Sequence, residues 1–218
     1  MTGTATTVVF LHGLGEGPEV WDHQLAHLPS DLRGLSLHMP GFDPAAPPLT
    51  PFTLAASAEA LATELDRRQI RRAHLCGLSL GAMLALQFAM RRPDRITSLT
   101  LAAPQAKPPR ALMAVQSGIL RLIPARFLPA GSPPKPLLLE VLADAARTDL
   151  TPDLASIHAP TLVLCGQKDR ANLPAARRIA HAISGARLHV LEGAGHLSHL
   201  EAPEAFSREL HAFLTDAP

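Results

Sequence analysis

The sequence predicts an α/β fold, built as a doubly wound, mainly parallel six-stranded sheet with a small helical cap. Three observations predict it. Six short apolar runs alternate with helical patterns along the 218 residues. The runs lack strict polar–apolar alternation, as expected of parallel strands covered on both faces. One long interval, between the fourth and fifth runs, interrupts the alternation.

Each apolar run has the length of a buried strand. The predicted strands are Thr7–Leu11, Leu35–Met39, Ala73–Gly77, Ile96–Ala102, Thr161–Cys165 and Arg187–Leu191. Between them, Thr53 is placed to cap a helix that carries an apolar face on Leu54, Ala58, Leu61, Ala62 and Leu65. Pro174 and Pro203 are expected at the starts of two later helices, because proline suits the first helical turn.

The interruption covers residues 104–156 and contains two helical patterns, near Arg110–Ile123 and Lys135–Arg147, separated by prolines. It is too long for a simple crossover and too apolar for a disordered linker. We therefore expect a core made of residues 1–103 and 157–218, with 104–156 as a cap. The cap should cover the carboxyl edge of the sheet, where open α/β sheets bind their ligands.

The third strand leads into Gly77-Leu78-Ser79-Leu80-Gly81, which is followed by a run of good helix formers. A serine on such a strand-to-helix turn is exposed in a strained conformation, and flanking glycines allow strand and helix to pass closely. This context favours Ser79 as a nucleophile over a turn serine without chemistry.

A serine nucleophile needs a base, and the base needs an orienting acid. Asp169 follows the fifth strand and His196 lies on a glycine-rich loop after the sixth. The order Ser, Asp, His is the one expected for this type of turn. Asp153 is a weaker candidate because it precedes the fifth strand. His199 remains an alternative base, and Asp169 could instead be a loop or helix-capping acid.

An oxyanion formed by attack on a carbonyl needs two backbone N–H donors. The amide of Leu80, directly after the serine, is one candidate. Leu14, in the His12-Gly13-Leu14-Gly15 loop after the first strand, is the other. His12 itself is expected to pack beside this loop in a structural role.

These motifs together resemble the α/β-hydrolase superfamily, nearly from end to end. Further matches are Met39-Pro40-Gly41-Phe42, the run from Ala159 to Gly166, and Glu201-Ala202-Pro203-Glu204 after the histidine loop. Within the superfamily the chain is similar to the small lidded carboxylesterases, including pimeloyl-carrier methyl esterases and plant methyl esterases. The two antiparallel strands that open many members have no counterpart before His12, which implies a six-stranded sheet.

The substrate pocket is expected under the cap. The first cap helix places Leu112, Val115, Ile119 and Leu122 on one stripe, which would roof the serine and line an acyl pocket. Trp21 is expected in the core or in the pocket wall, because burial best explains its large apolar area.

These residues indicate a serine hydrolase that cleaves a carboxylic ester with an apolar acyl or alcohol part. The same triad could serve a thioester, a lactone, C–C bond cleavage or hydroxynitrile lysis, because one fold supports many chemistries. A ligand-binding receptor with slow turnover is a further alternative.

Composition also limits which partners, cofactors and cellular location we expect. The net charge of +1 suggests neither nucleic acid nor a membrane as a partner. No metal-ligand spacing is present, so we expect no metal and no cofactor, only a small-molecule ester and no obligate protein partner. The N-terminus lacks a basic leader, and both cysteines, Cys76 and Cys165, lie in apolar runs, which favours a cytoplasmic protein.

Overall fold

The computed structural model describes residues 6–46, 49–128 and 133–216. Residues 1–5, which contain most of the N-terminal segment considered above, lie outside the described residues. So does Pro129, one of the prolines between the two cap helices.

The sheet has six strands, all parallel, in the order β2-β1-β3-β4-β5-β6. They are β1 (Thr6–Leu11), β2 (Leu32–Leu37), β3 (Ala73–Leu78), β4 (Ile96–Ala102), β5 (Thr161–Gly166) and β6 (Arg187–Leu191). This confirms the predicted doubly wound sheet. Only β2 is clearly displaced from its prediction. It is an edge strand, half-buried along most of its length, so its first residues do not form an apolar run.

Helices flank the sheet on both faces. They are α1 (Asp22–Ala26), α2 (Leu54–Arg67), α3 (Leu80–Arg91), α4 (Arg110–Leu122), α5 (Lys135–Arg147), α6 (Leu173–Ala182), α7 (Ser198–Glu201) and α8 (Pro203–Asp216). Single 3-10 turns occupy Pro18–Trp21, Pro93–Arg95, Ala125–Phe127 and Thr151–Ser156. The predicted helix starts are confirmed to within one residue.

Consecutive apolar residues of a central strand pack into two separate hydrophobic cores, one on each face of the sheet. In β1, Val9 and Leu11 join the cluster that packs against α2 and α3, whereas Val8 and Phe10 join the cluster that packs against α8. All four side chains are fully buried. The absence of polar–apolar alternation in the sequence therefore reflects a sheet covered on both faces.

The interval between β4 and β5 holds α4 and α5, which pack against each other. The two helices differ in burial. On α5 the side chains of Leu137, Leu138, Val141 and Leu142 are buried, whereas on α4 only Met113 is buried. Thus α5 connects this pair to the rest of the fold, and α4 lies outermost.

The start of α2 gives a direct test of the local structure. Thr53 caps this helix, because its Oγ1 accepts the Ala56 N–H at 3.0 Å. Thr53→Ala should lower the free energy of unfolding by about 1 kcal/mol, the usual cost of losing such a cap. Urea denaturation followed by circular dichroism measures this loss.

Thr63, on the exposed side of the same helix, supplies the matched control. Its hydroxyl bonds only to the Glu59 carbonyl of its own helix, and alanine is the better helix former. Thr63→Ala should therefore leave the unfolding free energy unchanged or slightly higher. Equal losses in both variants would contradict the capping role of Thr53.

Candidate active site

Ser79 occupies a strained turn between β3 and α3. Its φ is 52° and its ψ is −108°, a backbone conformation that residues with side chains rarely adopt. Two hydrogen bonds hold the turn: Ser79 N–H donates to the Ala102 carbonyl at 2.9 Å, and Met83 N–H donates to the Ser79 carbonyl at 3.0 Å. The turn therefore stands at the N-terminus of α3, whose first amides have no partner within the helix.

The glycines on either side of Ser79 are required by close backbone contacts. A Cβ on Gly77 would lie 2.7 Å from the backbone nitrogen of Ala82, and one on Gly81 would lie 2.7 Å from the His12 carbonyl oxygen. Neither distance is accessible to a real side chain. The Gly-x-Ser-x-Gly spacing thus reflects the crossing of α3 over β3 and the end of β1.

Asp169 and His196 meet beside this turn. Asp169 is in the loop after β5, and His196 is in the loop between β6 and α7. The His196 Nδ1 lies 2.8 Å from the Asp169 Oδ2. Ser79, Asp169 and His196 all line one cavity. The structure therefore brings together the three side chains singled out from the sequence.

The pKa values of His196 and Asp169 are shifted in opposite directions. The hydrogen bond to Asp169 raises the pKa of His196 above its ordinary value, against the effect of burial. Burial alone would raise the pKa of Asp169, but the hydrogen bonds from His196 and Asn172 outweigh it, and the pKa ends below its ordinary value. The carboxylate is thus ionised at neutral pH and favours the imidazolium form of its partner.

Asn172 is a contributor that the sequence did not reveal. Its side-chain amide donates to both oxygens of Asp169, each at 2.8 Å. Its own carbonyl oxygen accepts a hydrogen bond from Gln105 Nε2 at 2.9 Å. This chain of amides links Gln105, which follows β4, to the Asp169 carboxylate. An asparagine three residues after an acid is too common in loops to be singled out beforehand.

Glu201 anchors the loop that carries His196. Its two carboxylate oxygens accept the N–H groups of Gly195 at 2.7 Å and Leu197 at 3.1 Å, the residues immediately before and after His196. A Cβ on Gly195 would approach the carboxylate to 3.0 Å. Glu201 therefore sets the path of the backbone that carries the imidazole.

The alternative base, His199, and the alternative acid, Asp153, are not part of the cavity lining. His199 is fully buried against Trp21, with ring centroids 4.5 Å apart, and burial lowers the pKa of His199 to about 4. Asp153 lies in the 3-10 turn before β5 and is not part of the cavity lining. Neither side chain reaches the position of Ser79.

The loop after β1 faces the serine turn across the same cavity. Leu14 and Leu80, the two expected amide donors, both line it. His12 secures the loop: its Nδ1 lies 2.8 Å from the Gly13 carbonyl oxygen and its Nε2 accepts the Met39 N–H at 3.0 Å. Burial lowers the pKa of His12, which suits a neutral ring with one donor and one acceptor.

The cavity has a volume of about 480 Å³, within the usual range for small-molecule sites. Its walls are mostly apolar and come from the serine turn, from α4 and α5, and from the loops after β1, β5 and β6. Glu16 is part of the lining and accepts the Gly13 N–H at 2.9 Å. Burial raises the pKa of Glu16.

The structure corrects part of the predicted pocket lining. Leu112 lines the cavity as expected, but Val115 and Ile119 lie outside its lining. Their stripe faces solvent, because α4 turns Met113 and Gln116 towards the cavity instead. Helical spacing identified the stripe without showing which way it points.

Trp21 is a core residue and not a pocket wall. It is fully buried and packs against Phe10 and Phe206, with ring centroids 5.2 and 5.9 Å away. These contacts place it in the cluster between the sheet and α8. The large apolar ring completes that core.

The described fold and cavity are those of an α/β hydrolase, and the chain belongs to this family. The model of the alpha/beta hydrolase family matches residues 8–209. The chain is also 31% identical to a pimeloyl-acyl-carrier-protein methyl ester esterase of Neisseria meningitidis, over all of this chain and 80% of that protein.

Solved structures agree with this assignment. A hydrolase from Pseudomonas aeruginosa superposes with a TM-score of 0.86 at 29% identity, covering 98% of this chain and 91% of that one. The enol-lactonase from Burkholderia xenovorans superposes with a TM-score of 0.83 at 26% identity, covering 98% and 93%. Hydrolases with esterase-type names are thus among the proteins to which this chain is similar.

The Asp169–His196 contact predicts a measurable titration. The pKa of His196 should lie above the ordinary histidine value of 6.5, and Asp169→Asn should lower it, because the amide cannot stabilise the imidazolium. Proton NMR of the histidine ring signals across pH measures both values. His199 serves as the internal control, with a pKa of about 4 in both proteins. A His196 pKa unchanged by the substitution would show that the contact is absent in solution.

Proposed function

We propose that this protein is a serine esterase that hydrolyses a carboxylic ester with an apolar acyl or alcohol part through an acyl-enzyme intermediate. One observation carries the proposal. A single cavity is lined by a strained, partly exposed serine and by a histidine paired with a buried carboxylate, and Leu14 and Leu80 belong to the same lining. This is the set of groups that acyl transfer requires.

In the proposed mechanism Ser79 Oγ attacks the ester carbonyl while His196 Nε2 takes the hydroxyl proton. Asp169 holds the ring through Nδ1 and stabilises the imidazolium. The Leu14 and Leu80 N–H groups bind the oxyanion. His196 then gives its proton to the departing alkoxide, and the acyl group remains on Ser79. Water, deprotonated by His196, attacks the acyl-enzyme, and His196 returns that proton to Ser79 Oγ as the acid leaves.

Among the described residues, Ser79 and His196 share no direct hydrogen bond, although both face the cavity. Such contacts are often long in the unliganded enzyme and shorten in the Michaelis complex. The proposal therefore rests on the shared cavity and on the Asp169–His196 pair.

The cavity lining favours an uncharged substrate. Outside the proposed triad, Glu16 is the one ionisable side chain of the described lining, and no basic side chain balances it. Leu112, Met113 and Val141 supply apolar contacts from the cap. An ester with neutral, apolar arms matches this surface. The names of the two relatives, a methyl ester esterase and an enol-lactonase, support acyl substrates of this kind.

The nucleophile is tested by Ser79→Ala. Turnover of a nitrophenyl ester should fall on the order of a million-fold, as in serine-protease knockouts, with an unchanged circular dichroism spectrum. Ser36→Ala, which removes a hydroxyl from the edge strand β2, is the control and should retain full activity. Retention of a few percent of the activity by pure Ser79→Ala would exclude Ser79 as nucleophile.

The substrate class is tested by a chain-length series. Two additional buried methylenes should raise kcat/KM about tenfold over acetate esters, at roughly 0.8 kcal/mol each. Leu112→Asp should reduce this preference, because Leu112 lines the cavity. Ile119→Asp, on the solvent side of the same helix, should leave it intact. A flat profile in the wild-type protein would contradict an apolar acyl pocket. Thioester and lactone substrates in the same series separate the alternative chemistries.

A further inference from the structure

The exposed hydrophobic side chains of this protein are concentrated in one place. Among the described residues six large hydrophobic side chains are exposed, and five of these lie between residues 112 and 127: Leu112, Val115, Ile119, Leu122 and Phe127. Exposed apolar side chains are normally scattered singly, and a contiguous group marks an interaction surface. We call Val115, Ile119, Leu122 and Phe127 the cap face.

The cap face follows from the orientation of α4. Val115, Ile119 and Leu122 are spaced by four and three residues, so they form one stripe along the helix. They are 58%, 54% and 84% exposed, whereas Met113 is the buried residue of this helix. Phe127 continues the face past the end of α4. The helix thus turns an apolar stripe to the outside while a different side lines the cavity.

The charge around the cap face has one sign. Residues 104–139 contain five basic residues and no acidic residue, the basic ones being Lys107, Arg110, Arg121, Arg126 and Lys135. Lys107 pairs with Asp149 at 2.6 Å, whereas the other four form no ion pair with a described carboxylate. The small net charge of the whole chain conceals this asymmetry. The next acids, Glu140 and Asp144, accept the N–H groups of Phe52 and Leu54 at 3.0 and 2.9 Å. They are thus directed to the start of α2 and do not neutralise the cap face.

We propose that the cap face docks on an anionic lipid membrane surface. An apolar helix stripe flanked by arginine and lysine is the pattern of helices that lie in the plane of a membrane interface. The aliphatic side chains would enter the acyl boundary, and Arg121 and Arg126 would bind lipid headgroups. Among the described residues no helix is long and apolar enough to cross a bilayer. The proposed contact is with the membrane surface.

Two other occupants fit the same face less well. A second copy of this chain would bring two sets of basic side chains together without an acid between them. The core of a protein interface is typically rich in aromatic residues and satisfied polar groups, whereas the stripe on α4 is aliphatic and convex. A bilayer adapts to a convex helix and supplies both the apolar depth and the negative charge.

Docking of this face would bring the cavity close to lipid. The same helix carries Leu112, Met113 and Gln116 on the cavity side. An apolar ester dissolved in the membrane would therefore meet the cavity without first crossing bulk water. This consequence draws on the proposed esterase function, but the docking itself does not, and Ser79→Ala should bind membranes as well as the wild-type protein.

The test is co-sedimentation of the full chain with vesicles made of equal parts phosphatidylglycerol and phosphatidylcholine, compared with phosphatidylcholine alone. Binding should be stronger to the anionic vesicles and should weaken with added salt. Leu122→Asp should reduce the partition coefficient about tenfold through lost apolar burial. Arg121→Glu should reduce it at least about fivefold, the contribution of one basic charge near such a surface.

Matched controls lie away from the cap face. Leu200→Asp changes the sixth exposed hydrophobic side chain, on α7, and Arg178→Glu reverses an exposed charge on α6. Both should bind vesicles like the wild-type protein. Hydrolysis of a water-soluble ester by Leu122→Asp and Arg121→Glu should be unchanged, which shows that these variants are folded.

Three results would overturn the proposal. The first is no binding to anionic vesicles, and the second is binding that the two cap-face variants leave unchanged. The third is a concentration-dependent dimer, seen by analytical ultracentrifugation and abolished by Leu122→Asp, which would assign the face to a second copy. If the first result is accompanied by binding to soluble polyglutamate, the face is assigned to an acidic protein.

Discussion

The arrangement of this protein depends on a backbone crossing that tolerates no side chain. The turn from β3 to α3 passes so close to the end of β1 that Gly81 lies against the His12 carbonyl. This contact sets Ser79 in its strained conformation and aims the N-terminus of α3 at the loop that carries Leu14. Because β1 and β3 are neighbours in the sheet, the serine and the proposed oxyanion donors are placed together by strand order rather than by flexible loops.

A second crossing of the same kind brings the acid and the histidine together. A Cβ on Gly166, at the end of β5, would lie 2.5 Å from the Ala194 carbonyl oxygen. Lys168 N–H donates to that same carbonyl at 2.8 Å. The loops after β5 and β6 are thus joined through their backbones, and the 2.8 Å contact between Asp169 and His196 follows from it. Both halves of the site rest on small residues at strand ends.

The features that were predictable from the sequence are those with a local signal. Buried strands, the Gly-x-Ser-x-Gly turn and the cap of α2 by Thr53 each depend on a few adjacent residues. The direction in which α4 points was not predictable, because an apolar stripe such as Val115 and Ile119 has the same spacing whether it faces a pocket or solvent. The roles of Asn172 and Glu201 were also missed. Asn172 is an ordinary polar loop residue that acquires its role only when distant loops meet, and the motif containing Glu201 does not show which amides its carboxylate accepts.

The hydrogen bond from Gln105 to Asn172 has a consequence for how this protein can be recombined with others. Gln105 stands at the root of the cap, and Asn172 holds the Asp169 carboxylate. The cap is therefore not an interchangeable module. A chimaera that grafts another hydrolase's cap onto this core would remove the donor to Asn172 unless its junction lies after Gln105. The position of such a junction in this chain is therefore constrained by a single pair of amide side chains, Gln105 and Asn172.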